Sequence, residues 1–542
     1  MARPAGRGPL QSLYFDYPHF AAPPVPNGTT RHQVAIVGAG PVGMVAALTL
    51  AKYGVASVLL DRRDSFNDGS RAICLARPSM HILEQIGAVG PFLAKALGWT
   101  RGRSFYRDQQ IYQFEMPHGD NDKYLPMYNL QQQFIEQFLY DAIVGNPLID
   151  VRWQSEIDGL VQHGDGAVIH VTSATGGYDL HADYVLAADG ARSAMRGLMG
   201  LRLRGDNYEG QYVIADIHAA LDLPTERRAY FAPAANPDGT VLLHRQPGDI
   251  WRVDYQLPLG ADLATAIEES VIRAKVGAIL AGIGFQGSWD LEWWSIYTAN
   301  TLCLDDYMHG RVIFIGDAAH IVPIFGVRGL NNGLADAFNI GWKLGYVLAG
   351  VAAPALLDSY TPERRGATLD VFANATKSTR FMTPPSRGWW LLREAALSLA
   401  LTEDFARQFA DPRQMQPYRY PGSGEHDGFA IGPSVGALAT NVKLADGTYL
   451  LDRCGAGFTF LVFGAASRAL FDDFAMLDPR FTGLIVGVDI QDPFGAIARA
   501  YGAVPGAVYL LRPDLHVAGR WQWADRTAML QTLRASLGGI AA

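Results

Sequence analysis

The run VAIVGAGPVGMVAALTLAKYG, Val34 to Gly54, decides the fold of this 542-residue chain. Val34 to Val37 is a short apolar stretch of the kind a buried parallel strand uses, and Met44 to Tyr53 supplies the helix formers that should follow. Between them stand the glycines of a G-x-G-x-x-G turn, a pattern that carries meaning only in this strand-to-helix context. Gly38 permits the tight turn, Gly40 lets a pyrophosphate come close to the backbone, and Gly43 lets helix pack on strand. The helix start then offers free N–H groups and the positive end of its dipole to the phosphates. Val55 to Leu60 reads as the next strand. Asp61 at its end, with Arg62 beside it, falls about 20 residues past the glycines, where a ribose-binding acid is expected.

A second match to the same pattern, G-I-G-F-Q-G at Gly282 to Gly287, follows Ile267 to Leu280, whose character is helical. It reads as a helix C-terminus and loop in which glycine supplies positive φ, so no second nucleotide domain is expected.

Three later stretches belong with the first unit. Tyr184 to Ala187 is another buried-strand run and ends in Asp189-Gly190; Arg311 to Ile315 runs into Gly316-Asp317-Ala318-Ala319-His320; and Gly329-Leu330-Asn331 opens a helix extending to Leu348. That helix start aims N–H groups at whatever anion or carbonyl lies there.

Composition sets the class. The chain is too long for one ordinary domain, and a hydrophobic share of 49% with 18% charged residues is that of a globular protein. A net charge of -8 gives no reason to expect nucleic acid or an anionic membrane surface as partner. Cys74, Cys303 and Cys454 are too few and too scattered for a disulfide framework or a zinc site, so no metal and a reducing cytoplasm are expected.

The chain divides as an irregular arm at 1–30, a nucleotide-binding unit at 31–205, an aromatic-rich run of alternating strands at 206–299, and a return to the first unit at 300–410. A Pro/Gly-rich linker follows at 411–428, then a small α/β domain at 429–542 ending in a helix over Thr527 to Leu537. Within the first unit, Ser70 to Cys74 carries Arg71, and an amphipathic helix begins near Gln132.

These motifs resemble the single-component FAD-dependent aromatic hydroxylases, the family that includes p-hydroxybenzoate, phenol and 3-(3-hydroxyphenyl)propionate hydroxylases. The likeness covers about residues 31 to 380, and the C-terminal segment is similar to the thioredoxin-like extension of the phenol-hydroxylase subgroup. The resemblance implies an α/β fold: a Rossmann-like FAD-binding domain of the p-hydroxybenzoate hydroxylase type, an inserted antiparallel substrate sheet, and a thioredoxin-like C-terminal domain. It places Gly38, Gly40, Gly43, Asp61, Arg62, Arg71, Gln132, Asp189, Gly316, Asp317, Gly329, Leu330 and Asn331 on FAD. The segment Asp189-Gly190-Ala191-Arg192-Ser193, with Arg196 beyond, looks like the family's D-G-x-x-S segment, associated with both FAD and the pyridine nucleotide. Three departures stand out: Asp61 where Glu is commoner, Pro323-Ile324 where the family often has P-P, and Gly326-Val327-Arg328-Gly329 where it often has G-x-G before the asparagine. Arg328 would either hold negative charge near the flavin or cover the site.

The activity implied is hydroxylation of a phenolic or related aromatic substrate with NAD(P)H and O₂, through a flavin hydroperoxide. Epoxidation, Baeyer–Villiger oxygen insertion and flavin binding without turnover remain the alternatives. Pro323, stiff and without an N–H, would shape the face where oxygen binds. His218, His244 and Tyr255 are candidate bases or acceptors, and Arg245 and Arg252 candidate receivers of a carboxylate. Trp293-Trp294 reads as wall and His320 as loop support. Cys454, alone, implies no disulfide exchange in the C-terminal domain. The expected partner is a small aromatic substrate, with room for a homodimer.

Overall fold

A computed structural model describes residues 15–28, 30–67, 69–323, 326–410, 417–421, 428–464 and 468–539. Strand Thr30–Val37 enters helix Pro41–Lys52 through the glycine turn, with Pro41 at the first helical position, where its missing N–H costs nothing. The sheet around it runs Met308–His309, Val312–Phe314, Gly176–Ala187, Thr30–Val37, Ser57–Leu60, Ile149–Arg152. Along this path the pairings are parallel except at the Met308–His309 edge; Gly166–Ser173 adds antiparallel to the start of Gly176–Ala187, and Ser155–His163 adds antiparallel to Gly166–Ser173. The central stretches of its strands are apolar because both faces are covered there, and Val34, Ile36, Val58, Leu60, Val185 and Ile313 are fully buried. Val312–Phe314 arrives only after the chain has built a second sheet elsewhere, so the nucleotide-binding unit is discontinuous, as the 31–205 and 300–410 segments require.

The second sheet runs His320–Ile321, Trp289–Cys303, Arg204–Ala219, Ile250–Gln256, Thr240–Gln246, Arg227–Phe231, Arg101–Tyr106, Gln109–Glu115. It is wider than the 206–299 segment expected for it. Arg101–Tyr106 and Gln109–Glu115 come from the first unit and join through a parallel pairing with Arg227–Phe231. That pairing partner lies more than a hundred residues away, so nothing local marks which sheet these strands serve. Helix Glu269–Gly282 covers one face of the sheet, packing Ile272, Val276 and Ile279 against Val213, Leu243, Trp251, Val253 and Tyr255. It ends at Gly282, and Gly284 follows at φ +86°, so the second glycine pattern is a helix terminus as read.

The C-terminal domain orders its strands Thr482–Val486, Thr459–Phe463, Val508–Leu511, Val517–Trp521, the first pair parallel and the others antiparallel. Its last helix is Arg526–Ser536, one residue earlier than expected because Asp525 caps it by accepting from the N–H of Thr527 and Ala528. This domain packs on the back of helix Gly329–Leu348: Trp342 and Tyr346 share a core with Phe458 and Phe460. The expected linker is mostly outside the described residues, but Tyr420 within it is buried and stacks on His516 with ring centroids 4.0 Å apart, so that part is fastened rather than free. Residues 1–14 of the arm also lie outside the described residues. Beyond them Phe20 stacks on Trp153 at 4.5 Å, so the arm's described end is docked. No helix among the described residues is long and apolar enough to cross a membrane.

The seam between the C-terminal domain and this helix is charged. Glu363 accepts two bonds from Arg512, at 2.6 and 2.9 Å, and others from Lys343 (2.7 Å) and Asn339 (2.8 Å). Burial alone would raise the Glu363 carboxyl, but Arg512 and Lys343 outweigh it and hold the group down to about 2. A folded value below the unfolded one contributes stability that is whole above the unfolded pKa of about 4.3 and is lost as pH falls from there toward 2. Denaturant unfolding followed from pH 6 to pH 3 is expected to show this loss, and Glu363→Gln to be less stable at pH 6 but flatter with pH.

Candidate active site

The glycine turn is built as a cradle. Gly38 has φ +110°, and a Cβ there would strike the carbonyl of Ala188; a Cβ on Gly43 would strike the carbonyl of Gly38. Gly40 is the contrast: nothing lies within 4 Å of where its Cβ would stand, so this backbone is open to approach. It caps the helix without a side-chain bond, which leaves the first-turn N–H groups facing that opening. These features fit a pyrophosphate.

Asp61 lies beside this turn, with Oδ2 accepting from Ala39 N–H at 2.8 Å and Arg63 Nη2 at 2.9 Å, and Oδ1 accepting from Arg63 N and Nε. Arg63, which the sequence reading passed over, is therefore the cation at this position. Arg62, expected there, is exposed, since alternation in an extended segment turns neighbouring side chains to opposite sides.

Asp189, Gly316 and the Gly329 helix converge on one cleft. Asp189 Oδ2 accepts from Met195 N–H at 3.0 Å, while Oδ1 is buried with no partner among the described residues; burial raises this carboxyl. Arg196 ties the two loops together, donating to the carbonyls of Ala191, Asp317 and Ala318. The Asp317 side chain is exposed in the cleft, and Arg71 is near enough for its charge to act on Asp317 and on Tyr297. Gln132 does not reach outward: Oε1 accepts from the N–H of Arg71 and Ala72, and Nε2 donates to Glu136, so it fixes the Arg71 loop.

His320 is fully buried, 2.6 Å from Asp336 Oδ2, which also accepts from Gly316 N–H at 3.1 Å; Arg364 holds Oδ1 at 2.6 Å. Burial would raise Asp336, but Arg364 and His320 keep it below the usual carboxylate range. The side chain of Asn331 is likewise committed within the protein, accepting from Ala76 N–H and Ser79 and donating to the carbonyls of Cys74 and Val327. What Gly329, Leu330 and Asn331 offer is therefore backbone, the N–H groups of a helix's first turn. Arg328 lies inside the protein. It is buried and donates to the Val371 carbonyl at 3.1 Å, because Val327 before it takes φ +61° and turns the chain inward, a strained state for a β-branched residue. Pro323 is buried at the end of the preceding loop.

The face of the second sheet turned away from helix Glu269–Gly282 meets these loops. A cross-strand row carries Trp293, Asp216, Arg252 and His244. Arg252 clamps Asp216 through Nε at 2.8 Å and Nη2 at 3.0 Å, and donates to the carbonyls of Ser70 and Arg71. It fastens sheet to loop and is no free receiver for a carboxylate. Tyr297, two rows along, donates to the Val322 carbonyl at 2.9 Å, beside Pro323.

Strand alternation sorts the remaining candidates. Tyr255 lies on the opposite face, in the core under helix Glu269–Gly282, and so is placed away from the cleft; Arg245 is on that side too, donating to the Leu223 carbonyl. The pair Trp293-Trp294 is split, the first donating to Asp216 and the second packed beneath the helix. His244 does face the loops, but burial, with Arg227 and Arg252, pushes its pKa down to about 3, so it stays neutral and is a weak base. His218 is 3.4 Å from Glu292. The acids Asp216 and Asp254 were overlooked; Asp254 had a signal in its place two residues from Arg252, whereas Asp216 meets Arg252 only across strands.

A cradle for two phosphates, an acid beside it and a second helix terminus across the cleft define a dinucleotide flavoprotein. A family model described as FAD binding domain matches residues 31–375. The chain belongs to that family. It is 26% identical to the 3-(3-hydroxy-phenyl)propionate/3-hydroxycinnamic acid hydroxylase of Mycolicibacterium smegmatis, over 94% of this chain and 93% of that one. It is 28% identical to the 12-dehydrotetracycline 5-monooxygenase/anhydrotetracycline 6-monooxygenase of Streptomyces rimosus, over 92% and 96%. The crystal structure of the flavin-dependent monooxygenase PieE in complex with FAD and substrate shares the fold, with a TM-score of 0.79 at 23% identity over 94% of this chain and all of that one.

Proposed function

We infer that this protein is an FAD-dependent monooxygenase that uses NAD(P)H and O₂ to hydroxylate a phenolic or related aromatic ring. The observation that carries this reading is the fastening of a buried polar sheet face directly over both flavin loops, by Arg252 to Ser70 and Arg71 and by Tyr297 to Val322. The full-length likeness to two named monooxygenases supports it.

Bound FAD supplies the redox chemistry, accepting a hydride from NAD(P)H and activating O₂ for transfer of one atom to the ring. The chain's own residues do the rest. The turn at Gly40 and the helix start behind it hold the pyrophosphate, and Asp61 with Arg63 meets the adenosine ribose. The N–H groups of Gly329, Leu330 and Asn331 present fixed dipoles to negative charge on the ring's pyrimidine edge. Buried Pro323 and the sheet face exclude water from the reacting side. The segment 206–299, extended by the early strands, is the substrate sheet. The β-α-β then β-β-α order of the C-terminal segment supports a thioredoxin-like reading of it, and Cys454 as its one cysteine supports a role in packing rather than thiol exchange.

The test is purification with FAD followed by NADPH and NADH oxidation against a panel of phenols. The expected result is acceleration by at least one phenol and a product heavier by one oxygen atom. A protein that refuses FAD on titration, or whose NAD(P)H oxidation no aromatic compound accelerates, would overturn it.

A further inference from the structure

The polar row described above has a neighbour it does not satisfy. In the next cross-strand row Asp254 stands between Ile214 and Leu242, two apolar residues, on the same face as Arg252 and His244. It is 5% exposed, and its Oδ1 has no hydrogen-bond partner among the described residues. His244 Nδ1 and both polar atoms of Gln246, on the adjacent strand, are buried in the same condition, as is Gln131 Oε1 on the facing segment. Folded proteins leave few such groups unmet. Here several gather on the one face that closes over the flavin loops.

Position decides what they face. Cys74, on the strand opposite, is near enough that the charges of Arg252, Arg227 and Asp254 all act on its thiol, and its carbonyl accepts from Asn331 Nδ2 at 3.1 Å. Asp254 therefore looks across at the segment bonded to the helix start at the flavin. Of the cations in reach, Arg252 is paired with Asp216, and the charge of Arg227 acts on Asp254. His244 is neutral, and the Cys74 thiol and Tyr212 phenol are raised by burial and un-ionised. With Asp254 ionised, Asp216 and Asp254 together match Arg252 and Arg227, so an incoming carboxylate meets an acid at this row.

Resting on the hydroxylase reading, we propose that Asp254 is the specificity-determining residue of the substrate sheet: it accepts a hydrogen bond from an uncharged hydroxyl of the substrate, with His244 in the neighbouring row, and rejects substrates that end in a carboxylate. The chain would thereby take neutral hydroxylated aromatics, a class distinct from hydroxyphenyl acids.

Burial, and then Asp216, push the Asp254 carboxyl up to about 7 against the pull of Arg252 and Arg227, which gives the proposal a directional signature. A hydroxyl donor prefers the ionised carboxylate, so its affinity rises with pH through neutrality; a carboxylate ligand prefers the protonated form, so its affinity falls. The matched probes are 3-(3-hydroxyphenyl)propan-1-ol and 3-(3-hydroxyphenyl)propionate, which differ only at the chain end. Binding to the FAD-loaded protein is read from perturbation of the flavin absorbance between pH 6 and pH 8.5.

The alcohol is expected to bind at least about tenfold more tightly than the acid at pH 8, the scale of one hydrogen bond to a charged group. The gap should narrow at pH 6. Asp254→Asn, nearly isosteric, should weaken the alcohol, strengthen the acid and flatten both pH profiles. Equal or tighter binding of the acid by the wild type at pH 8 overturns the proposal without any variant, and so does an Asp254→Asn protein with unchanged preference, which would mean that water alone meets these groups. If other phenols accelerate NADPH oxidation while this pair shows no such discrimination, Asp254 is wrong and the hydroxylase reading stands; if no aromatic binds or accelerates, both fall.

Discussion

Gly40→Val should yield a folded, colourless protein, and Gly43→Val should barely fold at all. The two glycines are three residues apart in one turn, yet their surroundings differ entirely. At Gly40 the space a side chain would enter is empty for 4 Å, and its φ of -78° suits any residue. Losing a good N-cap and restraining the unfolded chain act in opposite directions, so apo stability should stay within about 1 kcal/mol of wild type. The valine instead occupies the pyrophosphate's approach. Loss of two charge-assisted bonds at about 1.5 kcal/mol or more each weakens FAD by about a hundredfold or more. At Gly43 the obstacle is the Gly38 carbonyl, backbone that cannot rotate away, so the helix must leave the strand. The cost should reach about 3 kcal/mol or more, the upper end for overpacking. FAD titration by fluorescence and urea unfolding of the apo forms check both; a yellow Gly40→Val protein would show that the phosphates lie elsewhere.

The second large effect is expected at Arg364→Ala. Asp336 is wholly buried and carries three loads: Arg364, His320 and the N–H of Gly316. Removing the guanidinium leaves a buried carboxylate short of its strongest partner, a loss of about 3–5 kcal/mol. Arg364 also donates to Tyr420, in the segment before the C-terminal domain, at 3.0 Å. The variant should therefore loosen that domain's seam and the Gly316 loop together. Unfolding measured with and without FAD separates the contributions. Arg364→Met with Asp336→Leu should recover part of the stability by removing the buried charge, but not the FAD affinity, because Gly316 N–H loses the acceptor that positions its loop and His320 keeps only Asn332. Recovery of both would mean that Asp336 positions nothing at the flavin.

Much of the flavin site was legible in the chain itself, because its determinants are local. A tight turn needs glycine at Gly38, a buried parallel strand needs the unbroken apolar run Val34 to Val37, and a helix start needs no partner to present its N–H groups. The same locality exposed the false pattern at Gly282, where the preceding residues are helical. Legibility fell where a residue's place depends on which neighbour it meets. Gln132 and the side chain of Asn331 hold loops, Arg328 lies inward, and Arg63, not singled out in the sequence, holds Asp61.

The facing sheet was the least legible part. Its composition announced strands, but one residue's shift in register moves a side chain to the other face. That is why His244 faces the flavin loops and Tyr255 does not, and why Arg252, a plausible anion receiver in sequence, is closed off by Asp216 from another strand. By itself, then, the sequence determined a dinucleotide cradle, its strands and helices, and the order in which they occur, since short-range sterics and apolar patterning suffice for those. Only the tertiary structure decided which acids and bases share the enclosed face, because burial and cross-strand pairing, set by residues far apart in the chain, control both their direction and their charge.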